Sequence, residues 1–64
     1  MKITEEHAVI IRDLRCRKDY SWSAIGDWLL YECDMGNGTQ MDGKEACDQA
    51  AELMGEDQND KPWN

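Results

Sequence analysis

The chain has 64 residues and a formal charge of −7, from fourteen acidic and seven basic side chains. This length supports one small hydrophobic core, which excludes a cofactor domain joined to a substrate domain. The acidic excess disfavours general affinity for nucleic acid or anionic membranes, because contacts to phosphates supply most nonspecific binding.

The start of the chain, MKITEEH, lacks the apolar core of a signal peptide, and no apolar run is long enough to span a bilayer. The cysteines Cys16, Cys33 and Cys47 are odd in number and form no C-x-x-C motif, which is typical of reduced thiols. We therefore predict a cytoplasmic protein. A zinc site made of these three thiols and His7 is arithmetically possible, but it matches none of the usual spacings.

The first helix is predicted from Glu5 to Lys18. Thr4 is a suitable N-cap, and acidic residues follow it where the positive end of the helix favours them. Val9 and Cys16 fall on the face opposite the core and form a candidate minor contact surface. Four residues at helical spacing predict the core stripe: His7, Ile10, Ile11 and Leu14.

The second helix is predicted from its N-cap Ser21 to about Cys33, after a tight connection in which Asp19 takes a left-handed conformation. Its inner face consists of Trp22, Ile25 and Leu29, and Leu30 and Tyr31 point away from it. A short helix that is apolar nearly all round is either central or shared with a partner. We therefore predict a protein interface, formed by Trp28, Leu30, Tyr31 and Trp63.

The third helix is predicted to begin at the N-cap Asp42, with Glu45 completing a capping box and Met41 packing onto Ala46. Gly55 is a suitable stop. Small residues form its apolar stripe: Ala46, Cys47, Ala50, Ala51 and Met54. The predicted organisation is a three-helix domain, residues 1–55, and a mobile acidic tail, residues 56–64, in which Trp63 alone docks.

Two near-matches to ligand-binding loops overlap between Asp34 and Glu45. Gly38–Glu45 matches a phosphate-binding loop except at its last position, where Glu45 replaces the Ser or Thr that binds magnesium. Asp34–Glu45 has the length of a calcium loop, but Gly36 and Gly38 stand where side-chain oxygens are needed. We therefore predict neither a metal nor a cofactor.

No set of residues predicts an enzyme or a small-molecule substrate. The chain has one His and no nucleophile, base and orienting group with a reason to converge. Cys16 lies among four basic residues that would lower its pKa, but we interpret it as a structural or incidental thiol.

Residues 20–26, YSWSAIG, follow a segment that reads RDLR. They resemble the (G)-Y-S-W-x-x-I-A start of the second helix in helix-turn-helix domains of resolvases and regulators, with Asp19 in place of Gly and Gly26 in place of Ala. The whole chain resembles small proteins of phages and environmental bacteria with a Gly-Glu-Asp…Pro-Trp-Asn tail, a similarity carried here by residues 55–57 and 62–64. The resemblance implies a helix-turn-helix-like shape and a phage-related role.

The third helix of a helix-turn-helix domain reads DNA with basic and amide side chains, whereas this one exposes more acids than bases. We therefore predict an all-α, three-helix, helix-turn-helix-like bundle that is a non-enzymatic interaction module for a protein partner or for itself, as a homodimer. The alternative is a DNA-binding transcriptional regulator. Its candidate contacts to duplex DNA are Arg12, Arg15, Arg17, Lys18, Lys44 and Gln49.

Overall fold

The computed structural model describes residues 1–64 and confirms an all-α chain of three helices without strands. Helix α1, Glu5–Arg12, continues directly into a π-helical segment, Asp13–Arg17, and is followed by α2, Trp22–Cys33, and α3, Gln40–Leu53. Because α3 packs against both α1 and α2, it is the central element of the bundle. None of the three helices has the length and apolar content that crossing a membrane requires.

The start of α1 is closed by the predicted N-cap. Thr4 Oγ1 accepts a hydrogen bond from the His7 N–H at 3.3 Å, and His7 Nδ1 accepts one from the Thr4 N–H at 3.2 Å. The prediction that Ile10 belongs to the core stripe is wrong, because its side chain is 44% exposed. The buried residues of the first helix recur at three-residue steps, and a neighbour in sequence is rotated by about 100° from them. They are Ala8, Ile11 and Leu14.

The first helix ends one residue before the predicted position, and its last part is π-helical. The Lys18 N–H donates to the Asp13 carbonyl at 3.0 Å, five residues back along the chain. Asp19 then takes the predicted left-handed conformation, with φ of 56°. Ser21 caps α2 as predicted, since its Oγ accepts from the Ala24 N–H at 3.1 Å.

Helices α2 and α3 meet backbone to backbone at two buried glycines. A Cβ atom at Gly43 of α3 would collide with the carbonyl of Trp22, and one at Gly26 of α2 would collide with the carbonyl of Thr39. Only glycine fits such an approach, because it has no side chain to keep the backbones apart. The two glycines therefore fix where α3 crosses α2.

The predicted start of α3 at the N-cap Asp42 is wrong, because the capping box lies three residues earlier. Thr39 is the N-cap: its Oγ1 accepts from the Asp42 N–H at 3.1 Å, and Asp42 Oδ2 accepts from the Thr39 N–H at 3.3 Å. Asp42 Oδ2 also accepts from the Asn37 N–H at 2.7 Å, and these bonds lower the pKa of Asp42. Met41 consequently lies in the first turn, where it is 81% exposed instead of packing onto Ala46.

One core joins all three helices and the segment that follows them. Gly55 has a φ of 71° and lies just beyond α3, as expected for a helix stop. Trp63, the docking residue of the predicted tail, is 2% exposed and belongs to the core. The buried hydrophobic residues are Ile3, Ala8, Ile11, Leu14, Ile25, Leu29, Ala46, Cys47, Ala50, Ala51 and Trp63.

Candidate functional site

The three predicted interface residues on α2 lie in different surroundings. Trp28 is half-buried, and its ring meets that of His7 nearly at a right angle, with the ring centroids 6.4 Å apart. Leu30 is also half-buried, and its side chain lies over Gly38 in the connection to α3. Tyr31 is 77% exposed. Of these three residues, Tyr31 alone presents most of its side chain to a partner.

The fourth predicted interface residue, Trp63, is a core anchor, so the prediction that it contacts a partner is wrong. Its indole Nε1 donates to Glu56 Oε1 at 2.8 Å, while Arg12 Nε donates to Glu56 Oε2 at 2.8 Å. Arg15 Nε donates to the Trp63 carbonyl at 2.9 Å. The hydrogen bond from Trp63 and the contact with Arg12 lower the pKa of Glu56. These bonds hold residues 56–64 against the first helix.

Two of the predicted DNA-contacting cations lie against the ring of Trp22 instead. The guanidinium carbon of Arg15 is 4.9 Å from the ring centroid, and the ammonium nitrogen of Lys44 is 5.1 Å from it. Arg15 Nη1 also donates to the Tyr20 carbonyl at 2.6 Å, and Lys44 pairs with Asp48 at 2.7 Å. Cations over an aromatic face are attracted by its π electrons. Both side chains are therefore engaged inside their own chain.

The remaining predicted DNA contacts are engaged as well. The Gln49 amide donates to one backbone group of residues 1–3 at 2.6 Å and accepts from another at 3.0 Å, which holds this segment on α3. Arg17 and Lys18 both pair with the carboxylate of Asp13, at 3.4 and 3.7 Å, and remain exposed. Of the six predicted contacts, these two keep the most exposed charge, and they do not form a broad basic surface.

The three thiols have no partner that would activate them. Burial raises the pKa of Cys16 and of Cys33, and it raises that of Cys47 to about 11. At Cys16 burial raises the pKa by more than Arg12 lowers it, so the expectation that basic neighbours lower this pKa is wrong. The thiolate is the nucleophile and the metal ligand, and these thiols stay protonated near neutral pH. No group of three or more His, Cys, Asp or Glu side chains is arranged to hold a metal ion.

A row of surface depressions, in which neighbours share lining residues, lies between residues 2–17 and residues 49–56 and forms a groove. It consists of three depressions with volumes of about 220, 210 and 450 Å³. Leu53 lines the first and the second of them, and Val9 and Met54 line the second and the third. We call it the α1–α3 groove. Its apolar centre is formed by Ala8, Val9, Leu53 and Met54. Val9 is 59% exposed and Leu53 is 50% exposed, so this centre is open to solvent.

A second depression lies beside Trp22, between α2 and the start of α3. It has a volume of about 550 Å³, and Met41 is its one strongly exposed apolar residue. Its other lining residues are polar except for Trp22, whose ring already has two cations against it. The indole N–H of Trp22 is buried without an acceptor. In the centre of the α1–α3 groove, by contrast, four of the five lining residues are apolar.

Sequence reasoning found half of this groove. Val9 was predicted on a minor contact surface, and its exposure agrees with that position, whereas Cys16 packs partly against the core. Leu53 was missed, because the stripe predicted for α3 passes through the small residues on its inner face. The only available signal for Leu53 was a large apolar residue that falls outside this stripe.

The chain matches no protein family, no curated protein and no solved structure. Residues 20–26 lie across the N-cap and first turn of α2, and residues 34–39 connect α2 to α3. This second connection is longer than the three- or four-residue turn of helix-turn-helix motifs.

Proposed function

We propose that this chain is a non-enzymatic interaction module that binds a protein partner, or a second copy of itself, through the α1–α3 groove. The observation that carries the proposal is the exposure of Val9 and Leu53 beside Ala8 and Met54 in one depression. Exposed apolar side chains that share one depression are candidates for contact with a partner, whereas those scattered singly over a surface need no explanation. A role as an accessory or regulatory protein of a phage or mobile element rests on the sequence resemblance alone.

The chemistry of the side chains supports a role without catalysis. The three thiols have raised pKa values, so they are poor nucleophiles near neutral pH. The single imidazole, that of His7, uses Nδ1 to accept the Thr4 N–H and packs its ring against Trp28. Neither arrangement pairs a nucleophile with a base.

The alternative function, a DNA-binding regulator, has less support. Arg12 and Arg15 are hydrogen-bonded within the chain, which leaves Arg17 and Lys18 as the more exposed cations of the first helix. On a chain of charge −7 this gives weak, salt-sensitive attraction to phosphates. Submicromolar binding to duplex DNA at about 200 mM salt, lost in Arg17→Ala, would favour the alternative.

Site-specific photo-cross-linking tests the proposed function. A photoreactive amino acid replaces Val9 in cells that produce the protein, and a matched control places it at Ile10, which is exposed on the same helix outside the groove. We expect a discrete product from position 9, absent from position 10, that disappears when Leu53→Gln is added. The mass of the product separates a homodimer from a complex with another protein. Equal products at the two positions, or none at position 9, would contradict the proposal.

A further inference from the structure

The connection between α2 and α3 contains Asn37 followed by Gly38, the one Asn-Gly pair of the chain. Asparagine is a thermolabile residue, because the backbone nitrogen of the next residue can attack the carbonyl carbon of its side chain. Glycine in the next position leaves this approach open, since it has no side chain of its own. Asn37 is exposed, and its side chain makes no hydrogen bond within the chain, so it is free to turn toward that nitrogen.

The backbone nitrogen of Gly38 is the unbonded one in a loop that is otherwise held in place. The N–H groups on either side of it, those of Asn37 and Thr39, both donate to Asp42 Oδ2, at 2.7 and 3.3 Å. The Gly38 N–H itself donates no hydrogen bond within the chain. This nitrogen can therefore approach the side chain of Asn37 without first losing a hydrogen bond to the protein.

A second exposed asparagine, Asn59, lacks both of these features. The residue that follows it is Asp60, whose side chain crowds the approach. The Asp60 N–H also donates to the Asp57 carbonyl at 3.0 Å, and an attack by this nitrogen would break that bond. The fold therefore protects the backbone nitrogen after Asn59 and leaves the one after Asn37 available.

We propose that Asn37 is a site of spontaneous deamidation, a modification that is independent of partner binding in the α1–α3 groove. The backbone nitrogen of Gly38 bonds to Cγ of Asn37, and the side-chain amide nitrogen leaves with the displaced proton as ammonia. Water then adds to the resulting five-membered imide ring and breaks one of the two carbon–nitrogen bonds formed by the former Gly38 nitrogen and the ring carbonyls. Breaking the bond to Cγ gives aspartate, and breaking the bond to the backbone carbonyl carbon gives isoaspartate. No oxidant or reductant is needed, and either product adds one negative charge to the −7 of the chain.

Isoaspartate at position 37 changes the start of α3. It adds one carbon atom to the backbone between the N–H groups of residues 37 and 39, which converge on one oxygen of Asp42. The longer backbone displaces one of these groups from the oxygen, and Asp42 is the partner of Thr39 in the capping box of α3. The Thr39 carbonyl also lies against Gly26 at the α2–α3 contact. Deamidation of Asn37 therefore loosens the cap of α3 and lowers the stability of the fold.

Ageing of the full chain at mildly alkaline pH, followed by mass spectrometry of its peptides, tests the site. We expect a gain of about 1 Da at Asn37 that forms about tenfold faster than the same gain at Asn59. Asn37→Gln is the matched control, because its longer side chain would have to close a six-membered ring, and it should show no gain at position 37. Equal rates at Asn37 and Asn59, or no gain at Asn37, would overturn the inference.

Thermal unfolding of the aged chain tests the effect on α3. The isoaspartate form is separated by ion exchange through its added charge and identified by enzymatic methylation of isoaspartate. We expect its midpoint to lie about 4–8 °C below that of the fresh chain, the shift that loss of one helix cap produces in a domain of this size. Asn37→Asp, which adds the charge without the extra backbone atom, should keep most of the midpoint. An unchanged midpoint of the isoaspartate form, or an equal loss in Asn37→Asp, would overturn the change in the cap.

Discussion

Helix α3 makes two contacts of opposite kinds. Against α2 it lies backbone to backbone, because Gly43 and Gly26 leave no room for a side chain between the helices. Against α1 it leaves a seam in which Val9 and Leu53 are half or more exposed. The contact with α2 is therefore closed, whereas the contact with α1 is buried at Ala8 and Ile11 and presents apolar surface to solvent along its outer edge.

The two contacts are expected to have different roles: the α2–α3 contact stabilises the fold, and the α1–α3 groove binds a partner. A glycine-mediated contact tolerates no added atoms, since close-packed interiors have few voids to accept them. The open seam tolerates substitution, because its side chains contact solvent on one side. Mutations at the α2–α3 contact are therefore expected to change the free energy of unfolding, and mutations in the α1–α3 groove to change binding.

The largest effect is expected at one end of the seam, where Trp63 connects the first helix to residues 56–64. Trp63→Ala removes a side chain that is 2% exposed and lowers the free energy of unfolding by about 3–5 kcal/mol. Urea denaturation followed by circular dichroism measures it. Trp63→Phe is the control, because it keeps an aromatic ring and loses the bond to Glu56 and part of the side-chain volume. Equal stability of Trp63→Ala and the wild type would show that this segment is not part of the core.

The α2–α3 contact gives the next effect. In Gly43→Ala the added methyl group meets the Trp22 carbonyl, and we expect a loss of about 1–3 kcal/mol from overpacking, despite the better helix propensity of alanine. Gly55→Ala is the control: it has open space around it but a φ of 71°, so it measures backbone strain alone. A Gly43→Ala chain as stable as the wild type in urea would refute the close contact.

A pH-dependent effect tests the bonds that close the end of the seam. The pKa of Glu56 is lowered by Trp63 and then by Arg12, so its stabilising contribution is complete above the ordinary glutamate pKa. That contribution is lost as pH falls through the lowered value. Glu56→Gln should therefore have a lower urea midpoint than the wild type at neutral pH. The difference between the two midpoints should narrow in acid. Glu45→Gln, at an exposed residue without an ion pair, should show no such narrowing.

The smallest effect on stability is expected in the groove itself. Val9→Gln and Leu53→Gln change exposed side chains, so each should alter the free energy of unfolding by less than about 0.5 kcal/mol. Thermal and urea denaturation measure both variants against Ile10→Gln, which is exposed outside the groove. A loss as large as that in Gly43→Ala would show that the seam is a packing contact and not an open surface.

The features that were predicted correctly from the sequence are those that depend on residues close together in the chain. Thr4 and Ser21 were predicted as N-caps because the capping hydrogen bond spans only three residues, and Gly55 was predicted as a helix stop for a similar reason. The start of α3 was misplaced because Thr39 and Asp42 can both cap a helix. The sequence alone does not say which of them the rest of the fold selects.

Features that depend on distant residues escaped prediction. The approach of Gly26 to Thr39 and of Gly43 to Trp22 depends on how α2 crosses α3, which no local pattern encodes. The docking of Trp63 was predicted, but its bond with Arg15 was not, because Arg15 is 48 residues away in the chain. Half of the groove was missed for the same reason, since Leu53 gains its significance only from lying beside Val9.

The most direct test of the account compares the groove with the exposed face of α2. Photo-cross-linking in cells is carried out with the photoreactive amino acid at one of two positions, Leu53 in the groove or Tyr31 on α2, each of which carries an exposed apolar side chain. We expect a discrete cross-linked product from position 53 and none from position 31. A product from position 31, with none from position 53, would place the interaction surface on α2 and contradict the proposed function.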